Sequence, residues 1–122
     1  MSVLIAYQVS DEISERLAYQ CSCRDVEYLR VGLELEGLSL REILGRRHGR
    51  SWQGERPEGA MVVLCGMTQA QMDDMLNAMR AWRKERLLKA VLTPTNQHWT
   101  CPELLRESIR QVLGIGREDK CR

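Results

Sequence analysis

The sequence predicts an α/β fold: a four-stranded, mostly parallel sheet in the order 2-1-3-4, with helices packed on it. Three observations lead there. Four short apolar runs, "VLIAYQV" from Val3, "VEYLRVGLEL" from Val26, "MVVLCGM" from Met61 and "LLKAVLT" from Leu87, have the length and composition of strands. A segment of helical period follows each run, and this alternation favours parallel neighbours, which need long crossovers. Three of the helical segments also open with the same local chemistry, a Ser or Thr with Glu or Gln three residues on. A ferredoxin-like split arrangement, with the third strand antiparallel and the second helix an excursion in a long connection, is compatible with the same order of elements.

The first and third runs are almost continuously apolar, as expected of central strands buried on both faces. In the second, Leu29, Val31, Leu33 and Leu35 alternate with Arg30, Gly32, Glu34 and Glu36, the period-two pattern of an edge strand wet on one side. Ser10 caps the first helix, with Asp11 and Glu12 against the positive end of its dipole. The pairs Ser39 and Glu42, Thr68 and Gln71, and Thr100 and Glu103 predict capping boxes, bracketed by the apolar staples Leu38 and Ile43, Met67 and Met72, and Trp99 and Leu104. Apolar stripes follow on each helix: Ile13, Leu17 and Cys21; Leu40, Ile43 and Leu44; Met72, Met75, Leu76 and Met79; and Leu105, Ile109 and Val112. Gly45 stands where a left-handed helix cap is expected.

The 122 residues fit one domain, residues 1–122, and "GRRHGRSWQGERPEG" at 45–59 lacks periodicity and reads as an exposed or mobile loop. With 18 basic and 17 acidic residues the net charge is +1, which argues against nucleic acid or an anionic membrane as a general partner. The apolar runs are far shorter than a bilayer span of roughly 20 residues. Five cysteines are an odd count in a chain large enough to need no disulfide staples. The N-terminus reads directly into a strand without a cationic leader, so the expected compartment is the cytoplasm.

Chemistry has four candidate places. The first is "TPTNQH" at 93–98, which a parallel layout puts at the ligand-prone carboxyl end of a strand, with Thr93, Thr95, Asn96 and His98 available to an anion or partner. The ordinary alternative is a turn shaped by Thr95, Asn96 and Pro94. The second is a thiol cluster of Cys65, His98 and Cys101, sufficient for a nucleophile and base or for a three-ligand metal site if the third and fourth strands are neighbours. Against it, Cys65 lies inside an apolar run and reads as an inert core residue. Cys21 and Cys23 are spaced C-x-C, not the two-residue spacing of zinc or thioredoxin motifs.

The third place is basic: Arg46, Arg47, Arg50 and Arg56 around His48 and Trp52, with Arg80, Arg83, Lys84 and Arg86 around Trp82, a mixture that can bind phosphates and stack on bases. The last is the methionine stripe, whose ordinary meaning at helical spacing is core. The dinucleotide, P-loop, zinc-protease and nucleophile-elbow signatures are missing, so no cofactor and no metal are expected.

The block Leu88-Lys89-Ala90-Val91-Leu92-Thr93-Pro94-Thr95-Asn96, followed by Trp99-Thr100 and Leu104-Leu105, resembles the C-terminal signature L-K-A-V-L-T-x-T-N-x-x-W-T of a family of small bacterial proteins known only as a domain of unknown function. "MVVLCGMTQAQMDDML" is similar to that family's preceding strand and helix, so the resemblance covers roughly the last 60 residues, and the arginine-rich loop departs from it. The resemblance implies a compact α/β domain without an assigned activity. The expectation is therefore a cytoplasmic module that binds a protein partner or a small anionic ligand and is not an enzyme. The competing expectations are a thiol-dependent enzyme using Cys65 or Cys101 with His98, and nucleic-acid binding through the arginine-rich loop.

Overall fold

A computed structural model describes residues 1–47, 49–82 and 86–112. Its elements run β1 (Val3–Tyr7), α1 (Asp11–Cys23), β2 (Glu27–Val31), a first 3₁₀ turn (Leu33–Leu35), α2 (Leu40–Leu44), β3 (Ala60–Cys65), α3 (Gln69–Arg80), β4 (Leu87–Val91), a second 3₁₀ turn (Asn96–His98) and α4 (Cys101–Arg110). The chain divides into two compact units, one of Met1–Gly32 with Gly59–Leu92, the other of Leu33–Glu58 with Thr93 onward.

The first unit holds the sheet, in the order β2-β1-β3-β4 that the apolar patterning predicts. β1 pairs with β2 in parallel, and β3 with β4 in parallel, but β1 and β3 run antiparallel, Val3 opposite Cys65 and Tyr7 opposite Met61. The sheet is mostly parallel with one antiparallel pair at its centre. The long segment between β2 and β3 brings the chain back beside β1 in the opposite sense, the direction that the split alternative assigned to the third strand.

Every residue of β1 is buried, and so are Met61 to Cys65 of β3, as continuous apolar runs require of central strands. Leu4, Ala6, Val62 and Leu64 face Ile13, Leu17 and Cys21 of α1 and Met75 and Met79 of α3, with Met72, Leu76 and Trp82 packed at the margin. Each large side chain buried there contributes about 1.5–3 kcal/mol relative to exposure. The methionine stripe is core. The Ser14 and Tyr28 hydroxyls, 2.6 Å apart, join α1 to β2, and the Arg24 guanidinium meets Asp74 of α3 at 2.7 Å.

β2 stops at Val31, earlier than its alternation suggests. Gly32 interrupts the strand, and Leu33–Leu35 close into the first 3₁₀ turn with Leu33 left 67% exposed. Glu36, which strand alternation would place in water, is 3% exposed instead.

The second unit is built on short turns and caps. All three predicted capping boxes form, at Ser39 and Thr100 here and at Thr68 in the first unit. Ser39 and Thr100 form an isolated antiparallel bridge, with the Leu40 amide donating to the Trp99 carbonyl at 2.9 Å. Leu38, Leu40, Ile43, Cys101, Leu104 and Leu105 are buried. Val112, expected on the apolar stripe of the last helix, is 61% exposed, in a π turn that follows the last α-helical residue, Arg110.

Gly45 has φ −81°, so the left-handed residue after α2 is Arg46 at φ +65°. The Arg46 amide donates to Ile43 and the Arg47 amide to Glu42, the paired bonds of a Schellman stop. Side chains of the following segment are largely exposed, yet its backbone is held: Gly49 and Arg50 amides donate to the Glu34 carbonyl, and the Gly37 amide donates to the Arg50 carbonyl at 2.9 Å. A Cβ on Gly37 would collide with the Ser51 carbonyl oxygen, so glycine permits this approach. The Arg56 guanidinium grips the buried Glu36 carboxylate, with Nε 2.9 Å from each oxygen.

Candidate functional site

The turn after β4 begins where the apolar run gives way to hydroxyls and an amide. Pro94 fixes its own φ, and Asn96 can bond to nearby backbone. The Asn96 Oδ1 accepts from the Thr93 amide at 2.8 Å, and the Thr93 Oγ1 accepts from the Asn96 amide at 3.0 Å. This is the reciprocal logic of a capping box, with Asn in place of Glu. The Gln97 amide donates to the Thr93 carbonyl at 3.1 Å, the Gln97 side chain to the Pro94 carbonyl at 3.2 Å, and the Trp99 amide to the Asn96 carbonyl at 3.0 Å.

The four candidate residues therefore separate by role. Thr93 and Asn96 are brought together and use their polar atoms to lock the turn. Thr95 makes no capping bond and is exposed, as is His98. α4 follows directly, its Glu103 amide donating to Thr100 Oγ1 at 3.3 Å and its Leu104 amide to the Thr100 carbonyl at 2.9 Å. Amides at the start of both the turn and the helix are thus already bonded within the chain, which weakens the cradle an anion would use.

Cys65 and Cys101 are both buried. The Cys65 thiol points to the Val63 carbonyl at 3.7 Å, and burial pushes its pKa up to about 12, which disfavours the thiolate that a nucleophile needs. Cys21 is similarly pushed up to about 11 by burial, with Arg24 opposing the rise. Cys23 is exposed on α1. Among the described residues no three His, Cys, Asp or Glu side chains are placed to hold a metal ion.

Of the basic candidates, His48, Arg83 and Lys84 lie outside the described residues. Arg56 is committed to Glu36, and Arg47 lies 3.9 Å from Glu42. The Glu42 carboxyl is held below its ordinary range mainly by the Ser39 amide of its capping box, helped by Arg50 and Arg47. Trp52 donates to the Glu55 carbonyl at 3.0 Å, and the Trp82 ring lies beneath Arg16, 5.8 Å from centroid to guanidinium. Both indoles thus have partners within the fold. Sequence reasoning missed the Glu36–Arg56 pair, since 20 positions separate the two residues and alternation assigned Glu36 to the wet face.

Residues 60–110 match the family model described as a domain of unknown function (DUF3783), a stretch that runs from the first residue of β3 to the last of α4. No curated protein and no solved structure matches the chain. Among the described residues no helix is long and apolar enough to cross a membrane.

Proposed function

We propose that the chain is a non-enzymatic binding module that engages a protein partner through the exposed side of the 93–98 turn. The observation that supports this reading is the division of labour within the turn: Thr93 and Asn96 spend polar atoms on two reciprocal bonds to each other that hold it, while Thr95 and His98 stand exposed on it. A rigid turn loses little conformational entropy on association, which favours binding. A small anion is the weaker ligand class, because the Asn96, Glu103 and Leu104 amides are bonded within the chain. The four described cysteines are free thiols, which fits work in a reducing compartment such as a bacterial cytoplasm.

The test compares the parent with a Thr95→Ala, His98→Ala double variant, two exposed changes expected to leave Tm unaltered. Partners captured by the parent from the source cells are to be identified and their affinities measured, beside a titration with inorganic phosphate. At least a tenfold loss of affinity in the double variant is expected for the partner, with no saturable phosphate binding. Unchanged affinity for every captured partner would remove the turn from the binding surface.

A further inference from the structure

The two halves of the chain repeat one order of elements. From β1 the chain runs strand, helix, strand, 3₁₀ turn, helix and ends with α2; from β3 it does so again and ends with α4. The correspondence extends to individual residues. After β1 comes Gln8 at φ +59°, then Val9, then the cap Ser10 at φ −69°, ψ 163°; after β3 comes Gly66 at φ +65°, then Met67, then the cap Thr68 at φ −71°, ψ 165°. Left-handed backbone is ordinary for glycine but uncommon for other residues, so its adoption by Gln8 at the place matching Gly66 carries weight. On the following helices the buried Leu17 and Cys21 match the buried Met75 and Met79 at the same spacing.

The parallel pairings supply a second alignment. Val3 faces Glu27 and Met61 faces Leu88, so Glu27 corresponds to Leu88. Counting forward without a gap puts Leu38 against Trp99, Ser39 against Thr100, Glu42 against Glu103 and Leu44 against Leu105. The first three pairs are the staple, the cap and the box residue of α2 and α4, and the fourth is a leucine on each helix. The Leu38 and Trp99 amides donate to the Leu35 and Asn96 carbonyls, which also correspond.

Within each unit the halves meet head to head at matching residues. In the sheet, Ile5 is directly opposite Val63, and those two correspond. In the second unit the antiparallel bridge joins Ser39 to Thr100, which correspond as well. Antiparallel contact between equivalent residues is the mark of a two-fold, isologous interface. The stretch matched by the family model, 60–110, coincides with the second copy.

We infer that Val3–Leu44 is a second, diverged copy of the segment spanning Met61–Leu105, and that within each compact unit the two copies' equivalent residues pair antiparallel. The edge of β3 that a lone copy would leave open is a self-pairing surface, and its partner here is β1 of the other copy. The copies differ in side chains along most of their length, and Glu42 with Glu103 and Leu44 with Leu105 are the identical pairs in this alignment. At the turns Thr93 and Asn96 correspond to Gly32 and Leu35, so the side-chain lock of the second turn has no counterpart at those positions of the first. The first copy's turn instead carries the 49–56 segment, held by Glu34, Glu36 and Gly37.

The test exchanges segments within the full chain. In one variant Gln8–Cys23 and Gly66–Ala81, equal in length, trade places; in another only Gln8–Cys23 is replaced, by a copy of Gly66–Ala81. Each has a control in which the inserted segments are displaced by one residue. Expected are a single cooperative thermal transition and parental helix content for both in-register chains, with loss of the transition in both displaced controls. If the in-register chains melt no more cooperatively than their controls, the copies are not equivalent and the inference is overturned; folding of the displaced controls would overturn it equally.

Discussion

Cys65, which the sequence offers both as a nucleophile and, more simply, as a core residue, is buried in the fold. Its thiol lies among buried apolar neighbours on β3, and burial lifts the pKa from an ordinary value of 9.0 to about 12. The protonated thiol is thus favoured in the folded state. Its contribution to stability is fully present below pH 9 and is lost as pH rises from about 9 toward about 12, because only the unfolded chain ionises readily in that window. Alkylation at pH 7.5 followed by peptide mapping should label Cys23 well before Cys21, Cys65 or Cys101. Rapid labelling of Cys65 in the folded chain would show an activated thiol and return the enzyme reading to consideration.

At the scale of elements, the Glu36–Arg56 pair connects the end of the first 3₁₀ turn to the segment before β3. Glu36 is 4% exposed at its side chain and Arg56 41%, so the carboxylate depends on the guanidinium more than the reverse. Arg56→Ala should cost about 2–3 kcal/mol in chemical denaturation, below the loss for a fully buried pair because Arg56 retains water contact. Glu36→Gln in the Arg56→Ala background should recover part of that loss, and a cost no larger than that of an ordinary surface change would show the segment held by its backbone bonds alone.

This pair also marks what could be read in advance. Helix starts, all three capping boxes and the strand runs, apart from the end of the second beyond Val31, were legible because each depends on residues close in sequence. The direction of β3 was not, since continuous apolar burial is the same for parallel and antiparallel neighbours. The candidate turn was legible as polar and ahead of a helix. That Thr93 and Asn96 face each other depends on backbone angles that "TPTN" allows without dictating.

For the molecule as a whole, the ranking of local stability follows the sheet order. β1 and β3 have hydrogen-bonded neighbours on both sides, while β2 and β4 are the outer strands, with Val91 of β4 46% exposed. Native-state hydrogen exchange should find the slowest amides at Leu4 to Ala6 and Val62 to Leu64, with faster exchange in β2 and β4. Equal protection across the four strands would mean that the sheet opens only as one block. The antiparallel seam also has a consequence for synthesis. β1, α1 and β2 emerge from the ribosome before residue 60, so β1 waits with one edge unpaired until β3 follows. At typical elongation of about 5–20 residues per second, that exposure lasts on the order of 2–7 seconds. An apolar strand edge left open for that time is a site where nascent chains can pair wrongly with one another, so the yield of soluble protein should depend on how quickly the ribosome traverses codons 32–65.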